Sequence, residues 1–244
     1  MGSTGKTGSG VNPGVKSVVM PDGTNILLDE ELVYGKDSAR APQLPKNIVD
    51  FENKRRTAKI EYILLTDDAG NEIESRKGGK SGVKSTLRAN SQAALITHNH
   101  PRSGAEIGAL GGTFSSQDLD NFVRFNNQRT LRAVAGEGTY SISKLPGFKP
   151  SLLRAYADYG REIYSELKGQ ADAAYKVYKN ASDTAYNDWR NNRISREQMN
   201  DISSKAYKEY EKTAMKVFNT ELIRKHNWLI ANQSKYGYTY GLER

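Results

Sequence analysis

The chain contains no cysteine, and this absence limits the chemistry that its folded state can support. Disulfide bonds and thiolate metal ligands are excluded, so any metal ion must be held by nitrogen and oxygen atoms. Histidine, the usual nitrogen ligand, is also scarce, with 3 copies in 244 residues. A histidine-based site can therefore draw on only a few positions.

Long hydrophobic runs are absent as well. No apolar stretch approaches the length of about 18 residues that indicates a membrane span, and the N-terminus lacks the apolar segment of a secretory signal. We therefore expect a cytoplasmic chain without a membrane partner, while association with a virion or export as an effector stays open. Hydrophobic residues make up 36% of the chain, which allows a core over part of its length.

Runs of like charge are missing even though the chain is basic. The net charge of +8 and the pI near 9.4 would attract an acidic partner. However, no run of about five or six like charges occurs. The pattern therefore favours a solvated basic surface, and nucleic acid is the weaker partner hypothesis.

The first two regions of the chain differ in composition and in predicted secondary structure. Residues 1–44 open with "MGSTGKTGSGVNPG", typical of a flexible tail, and continue with a predicted hairpin around Asp22-Gly23 and a linker. The pattern of residues 45–146 predicts a short helix, then a hairpin whose first strand covers 60–66, and then a helix over 87–95. It also predicts a helix that begins at Ser115 or Ser116 and two strands at the end of the region. We expect an α/β (α+β) fold, with a mixed sheet and flanking helices.

Residues 147–244 are predicted to be a helical region. Apolar and aromatic residues recur at helical spacing from residue 151 to about 192, and "NNRIS" interrupts the pattern. Ser195 and Gln198 then form a capping box for a second helix that reaches about residue 232. The aromatic stripe predicts core packing between two antiparallel helices, and its exposed remainder is a candidate surface for an assembly partner.

Two of the histidines stand two positions apart in "ALITHNHPRSG". If this run lies at a strand end, His98 and His100 project from the same face, where both imidazoles can reach one metal ion. A catalytic zinc site usually has three protein ligands and one open position, and a carboxylate can complete the set. Asp118, in the first turn of the next predicted helix, is the best-placed candidate.

The complete pattern "HNHP…SSQD" resembles the motif of the JAB/MPN (JAMM) metalloprotease superfamily, in which an upstream Glu precedes His-x-His-Pro and Ser-x-x-Asp. It is most similar to the bacterial RadC-type and the phage- or toxin-associated branches, and the resemblance covers roughly residues 50–145. It implies that His98, His100 and Asp118 bind zinc. It also implies that the substrate is a protein or peptide whose amide bond is hydrolysed.

The same resemblance assigns the other two catalytic roles. Glu61, in "KIEYILL", corresponds to the strand-borne Glu that acts on the water activated by the metal, and Ser115 corresponds to the serine that supports the oxyanion. Glu72 and Glu74 in the same hairpin are alternatives to Glu61. A serine at a helix start can equally be only an N-cap. His226 is interpreted as a surface or packing histidine rather than a ligand.

The spacing between the second histidine and the aspartate is longer than is usual for the family. Seventeen residues, rich in glycine, separate His100 from Asp118. This insertion could form a substrate loop or a lid, or it could indicate a site that no longer works.

Two function hypotheses follow from the sequence. The first is a zinc-dependent metallopeptidase or isopeptidase. The second is a non-enzymatic structural or interaction protein of a phage particle or toxin system, in which the domain is only a binding module.

Overall fold

The structure is a computed structural model that describes residues 16–19, 25–28, 44–80, 82–101 and 111–243. The strands are β1 (Lys16–Val19), β2 (Asn25–Leu28), β3 (Tyr62–Thr66), β4 (Glu72–Lys77), β5 (Leu95–Asn99), β6 (Thr130–Val134), β7 (Thr139–Lys144) and β8 (Tyr238–Glu243). The helices are α1 (Lys46–Arg55), α2 (Leu87–Gln92), α3 (Ser116–Arg124), α4 (Leu152–Arg190), α5 (Arg196–Ala231) and α6 (Gln233–Tyr236).

The main sheet has six strands in the order β4-β3-β5-β6-β7-β8. Only β5 and β6 run parallel, and the other neighbouring pairs are antiparallel. The expected α+β class, with a mixed sheet, flanking helices and a long helical pair, is therefore confirmed. The helix predicted over residues 87–95 ends earlier, at Gln92, because the chain enters the sheet as β5 at Leu95.

The N-terminal region contains a separate antiparallel pair, β1 and β2. These strands agree with the predicted hairpin. Its turn around Asp22-Gly23, the tail over residues 1–14 and the linker up to residue 43 lie outside the described residues.

One face of the main sheet is apolar. A row of cross-strand neighbours runs across it, each at most 3% exposed: Leu65, Ile96, Leu131, Ile142 and Tyr240. These residues share one hydrophobic cluster with side chains from α2, α3, α4, α5 and α6. Burial of each large side chain contributes about 1.5–3 kcal/mol to stability, so the hydrophobic core of the protein lies on this face of the sheet.

The opposite face is polar and is packed against α1. Arg132 on β6 is 2% exposed. Its guanidinium donates to Glu52 of α1, with Nε 2.5 Å from Oε1, and to Glu243 of β8, with Nη2 2.6 Å from Oε2. Since loss of one partner in a buried ion pair leaves an uncompensated charge, this trio ties α1 and the last strand to the sheet centre.

The two long helices, α4 and α5, pack against each other and differ along their length. Their inner ends supply buried residues to the core, including Tyr156 and Ile163 of α4 and Ile223 and Leu229 of α5. Their outer ends carry a set of tyrosine rings in mutual contact: Tyr175, Tyr178, Tyr207 and Tyr210. The predicted aromatic stripe is thus core only at the inner ends.

The last residues of the chain form a strand that the sequence analysis did not predict. β8 pairs with β7 along its whole length, from Thr139 opposite Glu243 to Lys144 opposite Tyr238. Residues 147–244, predicted as helical, therefore also complete the sheet. Within the described part of the chain, none of the helices combines the length and apolarity required to cross a membrane.

Candidate metal centre

Strand β5 places both histidines of the His-Asn-His run on the apolar side of the sheet. His98 lies in the cross-strand row next to the hydrophobic row, between Ile63 of β3 and Ala133 of β6. The strand ends at Asn99, but the N–H of His100 still donates to the Val134 carbonyl at 2.8 Å. The pleat therefore continues through His100, and its imidazole projects to the same side as that of His98.

The start of α3 brings Asp118 to the two imidazoles. Ser115 is the N-cap: its Oγ accepts from the Asp118 N–H, and the Asp118 carboxylate accepts from the Ser115 N–H, which completes a capping box. The Ser115 hydroxyl also donates to Asp118 Oδ2 at 2.7 Å. The cap holds Oδ2, and Oδ1 is the oxygen nearest to His98.

The three side chains form a compact cluster whose ligand atoms lie within 4.8 Å of one another. His98 Nε2 is 3.0 Å from His100 Nε2 and 3.3 Å from Asp118 Oδ1, and His100 Nε2 is 3.9 Å from Asp118 Oδ2. Tetrahedral zinc ligands, at about 2.0–2.1 Å from the ion, lie roughly 3.3 Å apart. The two imidazoles and the carboxylate thus fit zinc in both chemistry and spacing, and they leave one ligand position for a water molecule.

The orientation of His100 is fixed by a backbone segment. Its Nδ1 donates to the carbonyls of Gly111 at 3.1 Å and Gly112 at 2.9 Å. The N–H groups of the same two glycines donate to the Glu137 carboxylate at 3.1 and 2.9 Å. Tyr140 also donates to Glu137, at 2.9 Å. This arrangement directs Nε2 of His100 to the cluster, as outer partners do for metal-binding histidines.

Both positions in this segment require glycine. A Cβ on Gly111 would lie 2.6 Å from Ala135 Cβ, and one on Gly112 would lie 2.8 Å from Leu222 Cδ1. Gly112 also has φ +84°, which side-chain-bearing residues rarely adopt. The glycines predicted as part of an insertion therefore bring the backbone close enough to hold His100.

The charges of the cluster shift the pKa values of its members in opposite directions. Burial raises the pKa of Asp118, but the charge of His98 and its hydrogen bond outweigh burial and hold that pKa well below its usual range. Burial lowers the pKa of His98, yet Asp118 raises it overall. Burial and the charge of His98 lower the pKa of His100. The pKa of His98 therefore lies above that of His100.

Glu61 lies immediately before β3 and lines the same cleft as His98 and Asp118. Burial raises its pKa; the charge of His98 opposes this shift, Asp118 adds to it, and a backbone hydrogen bond from Val83 opposes it. A carboxylate whose pKa is raised by burial is a stronger base than a solvated one, so Glu61 is suited to take a proton from water.

The buried Asn99 side chain fixes the backbone on both sides of Glu61. Its Nδ2 donates to the Ile60 carbonyl at 3.0 Å, and its Oδ1 accepts from the Tyr62 N–H at 2.7 Å. The middle residue of the His-Asn-His run therefore links the metal-ligand strand to the start of the strand that follows Glu61. Sequence reasoning did not identify this role, because the partners are nearly 40 positions away.

The alternatives to Glu61 are placed differently. Glu72 is exposed on β4. Glu74 accepts from the N–H and the hydroxyl of Thr86, the N-cap of α2. Neither lines the cleft that holds the cluster.

The remaining histidine, His226, is 2% exposed in the core, where its Nδ1 lies 2.8 Å from the Tyr240 hydroxyl. It does not belong to the three-residue cluster. Of the glycine-rich insertion, residues 102–110 lie outside the described residues.

A cleft of about 610 Å³ lies beside the cluster on the apolar side of the sheet. Glu61, His98 and Asp118 line one part of it, and its lining extends over Ile96 and Leu131 to Gln128. This volume falls within the range of about 300–1,000 Å³ that is usual for ligand sites.

Comparison of the chain with family models, with curated proteins and with solved structures yields no match. The functional interpretation therefore depends on the geometry of the site. The sequence carries no local signal for Glu137, since its partners Gly111 and Gly112 are 25–26 residues away.

Proposed function

We propose that the protein is a zinc-dependent metallopeptidase or isopeptidase of JAB/MPN type. The observation that supports this proposal is the convergence of two imidazole nitrogens and one carboxylate within 4.8 Å, in a cleft that Glu61 also lines. A structural zinc site would be closed by a fourth protein ligand, whereas among the described residues this cluster has three members.

His98, His100 and Asp118 would hold the zinc ion. When bound, zinc supplies a Lewis acid that lowers the pKa of water to near neutral and polarises a carbonyl oxygen. Glu61 takes the proton of the attacking water and transfers it to the nitrogen of the leaving amine. The raised pKa of Glu61 suits both halves of this transfer.

Ser115 is assigned to the oxyanion of the tetrahedral intermediate. Its hydroxyl donates to Asp118 Oδ2, so it must turn from this bond to donate to a substrate oxygen. The Ser115 N–H also donates to Oδ2, at 2.7 Å, so the cap keeps one hydrogen bond during that change. Oxyanion donors of this kind contribute about 10²–10³-fold to kcat.

The test is cleavage of a mixture of peptides and of isopeptide-linked proteins by the zinc-loaded full chain, with new termini identified by mass spectrometry. Glu61→Gln should keep zinc and lower cleavage by at least about 10²-fold. Glu72→Gln makes the same chemical change on an exposed residue of the adjacent strand and should cleave as the wild type does. Zinc-loaded protein that cleaves nothing would support the interaction-module hypothesis, and full activity in Glu61→Gln would place the general base elsewhere.

A further inference from the structure

Gln128 is a buried polar residue whose side chain makes no hydrogen bond. The residue is 0% exposed, and neither Nε2 nor Oε1 has a partner. It lies between α3 and β6, where its backbone N–H donates to the Phe125 carbonyl at 3.2 Å. Because folded proteins pair nearly all buried polar groups, an amide with both ends unpaired indicates a partner that is supplied from outside the chain.

Gln128 lines the cleft that contains the proposed catalytic residues. The N–H of Arg129 donates to the Ala94 carbonyl, so Gln128 lies near the level at which β5 begins. His98 is four residues further along, which corresponds to about 13 Å at the rise of a strand. Ile96 and Leu131 form an apolar floor between the two ends. An extended peptide would cover this distance with about four residues.

We propose that Gln128 is a substrate-binding residue that recognises an amide group about four residues from the bond that is cleaved. The inference rests on the proposed function, because that function makes the cleft a peptide site. A carboxamide offers one acceptor and two donors, and its complement is a group with a C=O and an N–H side by side. A carboxylate would leave Oε1 unpaired and an ammonium group would leave Nε2 unpaired.

Two groups in a peptide substrate offer a C=O and an N–H side by side. One is the primary carboxamide of an Asn or Gln side chain. The other is the N–H and C=O of a single residue in extended backbone conformation, which point to the same side. Neither amide atom of Gln128 is exposed, so the side chain must turn toward the cleft to bind either one. This turn breaks no side-chain hydrogen bond, because none is made.

The binding test uses the ¹⁵N-labelled, zinc-free full chain and small amide probes. The Gln128 side-chain NH₂ signals are identified by their loss in Gln128→Met. Propionamide represents the side-chain source, and N-acetylglycine N-methylamide represents the backbone source. We expect one of them to shift the Gln128 signals saturably, with a dissociation constant on the order of 10 mM, as suits so small a ligand.

N,N-dimethylpropionamide, which accepts but cannot donate, should leave these signals unchanged. Measured by the backbone amide signals of the residues lining the cleft, Gln128→Met should weaken binding of the effective probe at least about tenfold, since both hydrogen bonds to the Gln128 amide are lost. If neither amide probe shifts the Gln128 signals, or if the variant binds as tightly as the wild type, the inference is overturned.

A purely structural role predicts a different effect on stability. Met is nearly isosteric with Gln and removes the unpaired atoms, so Gln128→Met should raise the melting temperature by a few degrees. Gln92→Met, the same change at an exposed position on α2, should leave it unchanged. A fall in the melting temperature of Gln128→Met would show that the amide is bonded within the fold and would overturn the inference.

The outcomes separate this inference from the proposed function. If the probes bind through Gln128 but the zinc-loaded chain hydrolyses no peptide, the amide site stands and the proposed function falls. If peptides are hydrolysed and Gln128→Met leaves both KM and kcat within twofold of the wild type, the proposed function stands and the inference falls. A raised KM with kcat nearly unchanged supports both.

Discussion

At the scale of residues, the site depends on side chains that point in opposite directions from one strand. His98 and His100 face the cluster, while Asn99 between them points away and holds the backbone of Ile60 and Tyr62. One short run therefore supplies two candidate ligands and also positions Glu61, the candidate base. The projection of both histidines from one face could be predicted from the sequence, because side chains on a strand repeat with a period of two residues. The role of Asn99 could not, because its partners lie on another strand.

Replacement of Asn99 should separate metal binding from catalysis. In Asn99→Ala the Ile60 carbonyl and the Tyr62 N–H lose their partner, so the backbone at Glu61 is held only by its own hydrogen bonds to Gly78 and Gly79. We expect zinc to be retained and kcat to fall by about 10–100-fold, because a small displacement of a catalytic group has a large effect on rate.

Asn127→Ala is the matched control for this change. The Asn127 amide also donates to a backbone carbonyl, that of Ser91, but at an exposed position outside the cluster. Its zinc content and kcat should match those of the wild type. Equal loss of zinc and of activity in Asn99→Ala would mean that Asn99 supports the ligand strand rather than Glu61.

Zinc affinity should depend on pH through His98. The pKa of His98 is raised above the 6.5 of an unperturbed imidazole, and zinc can bind only after this proton is lost. The pKa of Asp118 lies well below its usual range, so Asp118 adds no proton near neutral pH. Apparent affinity should therefore rise about tenfold per pH unit up to the pKa of His98 and level off above it.

Calorimetry in two buffers of different ionisation enthalpy measures this linkage. It should report more protons released per zinc bound at pH 6 than at pH 8. An affinity that does not change between pH 6 and pH 8 would contradict the protonation assigned to the cluster.

At the scale of elements, the candidate metal centre is assembled from three places in the fold. β5 supplies the histidines, the start of α3 supplies Asp118, and the turn between β6 and β7 supplies Glu137, which holds the glycine segment behind His100. The helix starts at Ser115 and Ser195 were predictable, because capping boxes are local signals. Glu137 was not predictable, since its partners Gly111 and Gly112 are more than 20 residues away.

Glu137→Gln tests the contribution of this outer contact. A Gln side chain can accept from only one of the two glycine N–H groups and presents its own NH₂ to the other, so the segment should shift away from His100. Zinc affinity should fall by about 10–100-fold, as is usual when an outer partner of a ligand histidine is lost.

Competition with a chromogenic zinc chelator measures the change. Glu72→Gln, the same substitution at an exposed strand position, should leave the affinity unaltered. An affinity within twofold of the wild type in Glu137→Gln would show that the backbone segment is held without this carboxylate.

At the scale of the whole molecule, the last described residues of the chain complete the six-stranded sheet that begins at β3. β8 adds Tyr238, Tyr240 and Leu242 to the core, and its Glu243 pairs with Arg132. This strand could not be predicted from the sequence because it is short, contains a glycine and pairs with a strand about 100 residues earlier. The predicted helices, by contrast, follow from an apolar period that is visible within each helix.

The core contacts of α4 and α5 therefore lie at their inner ends, and the tyrosine cluster lies at their outer ends. Shortening the pair by replacing residues 171–213 with a glycine-rich turn removes the outer tyrosines but keeps the inner residues of α4 and α5 that pack on the sheet. We expect the shortened chain to fold and to hold zinc as the full chain does.

Deletion of residues 237–244 should instead abolish cooperative unfolding and zinc binding, because it removes β8 and leaves Arg132 with one carboxylate fewer. Circular dichroism during heating and metal analysis compare the two variants. A shortened chain that loses zinc, or a chain without β8 that melts as the wild type does, would contradict this assignment.

The central claim is that His98, His100 and Asp118 form a zinc centre, and the most direct measurement is the zinc content of the purified chain after expression with added zinc. Elemental analysis should give about one zinc per chain for the wild type. It should give almost none for Asp118→Ala, with circular dichroism showing that the variant is folded. A folded wild-type chain without zinc, or an Asp118→Ala variant that holds as much zinc as the wild type, would contradict the account.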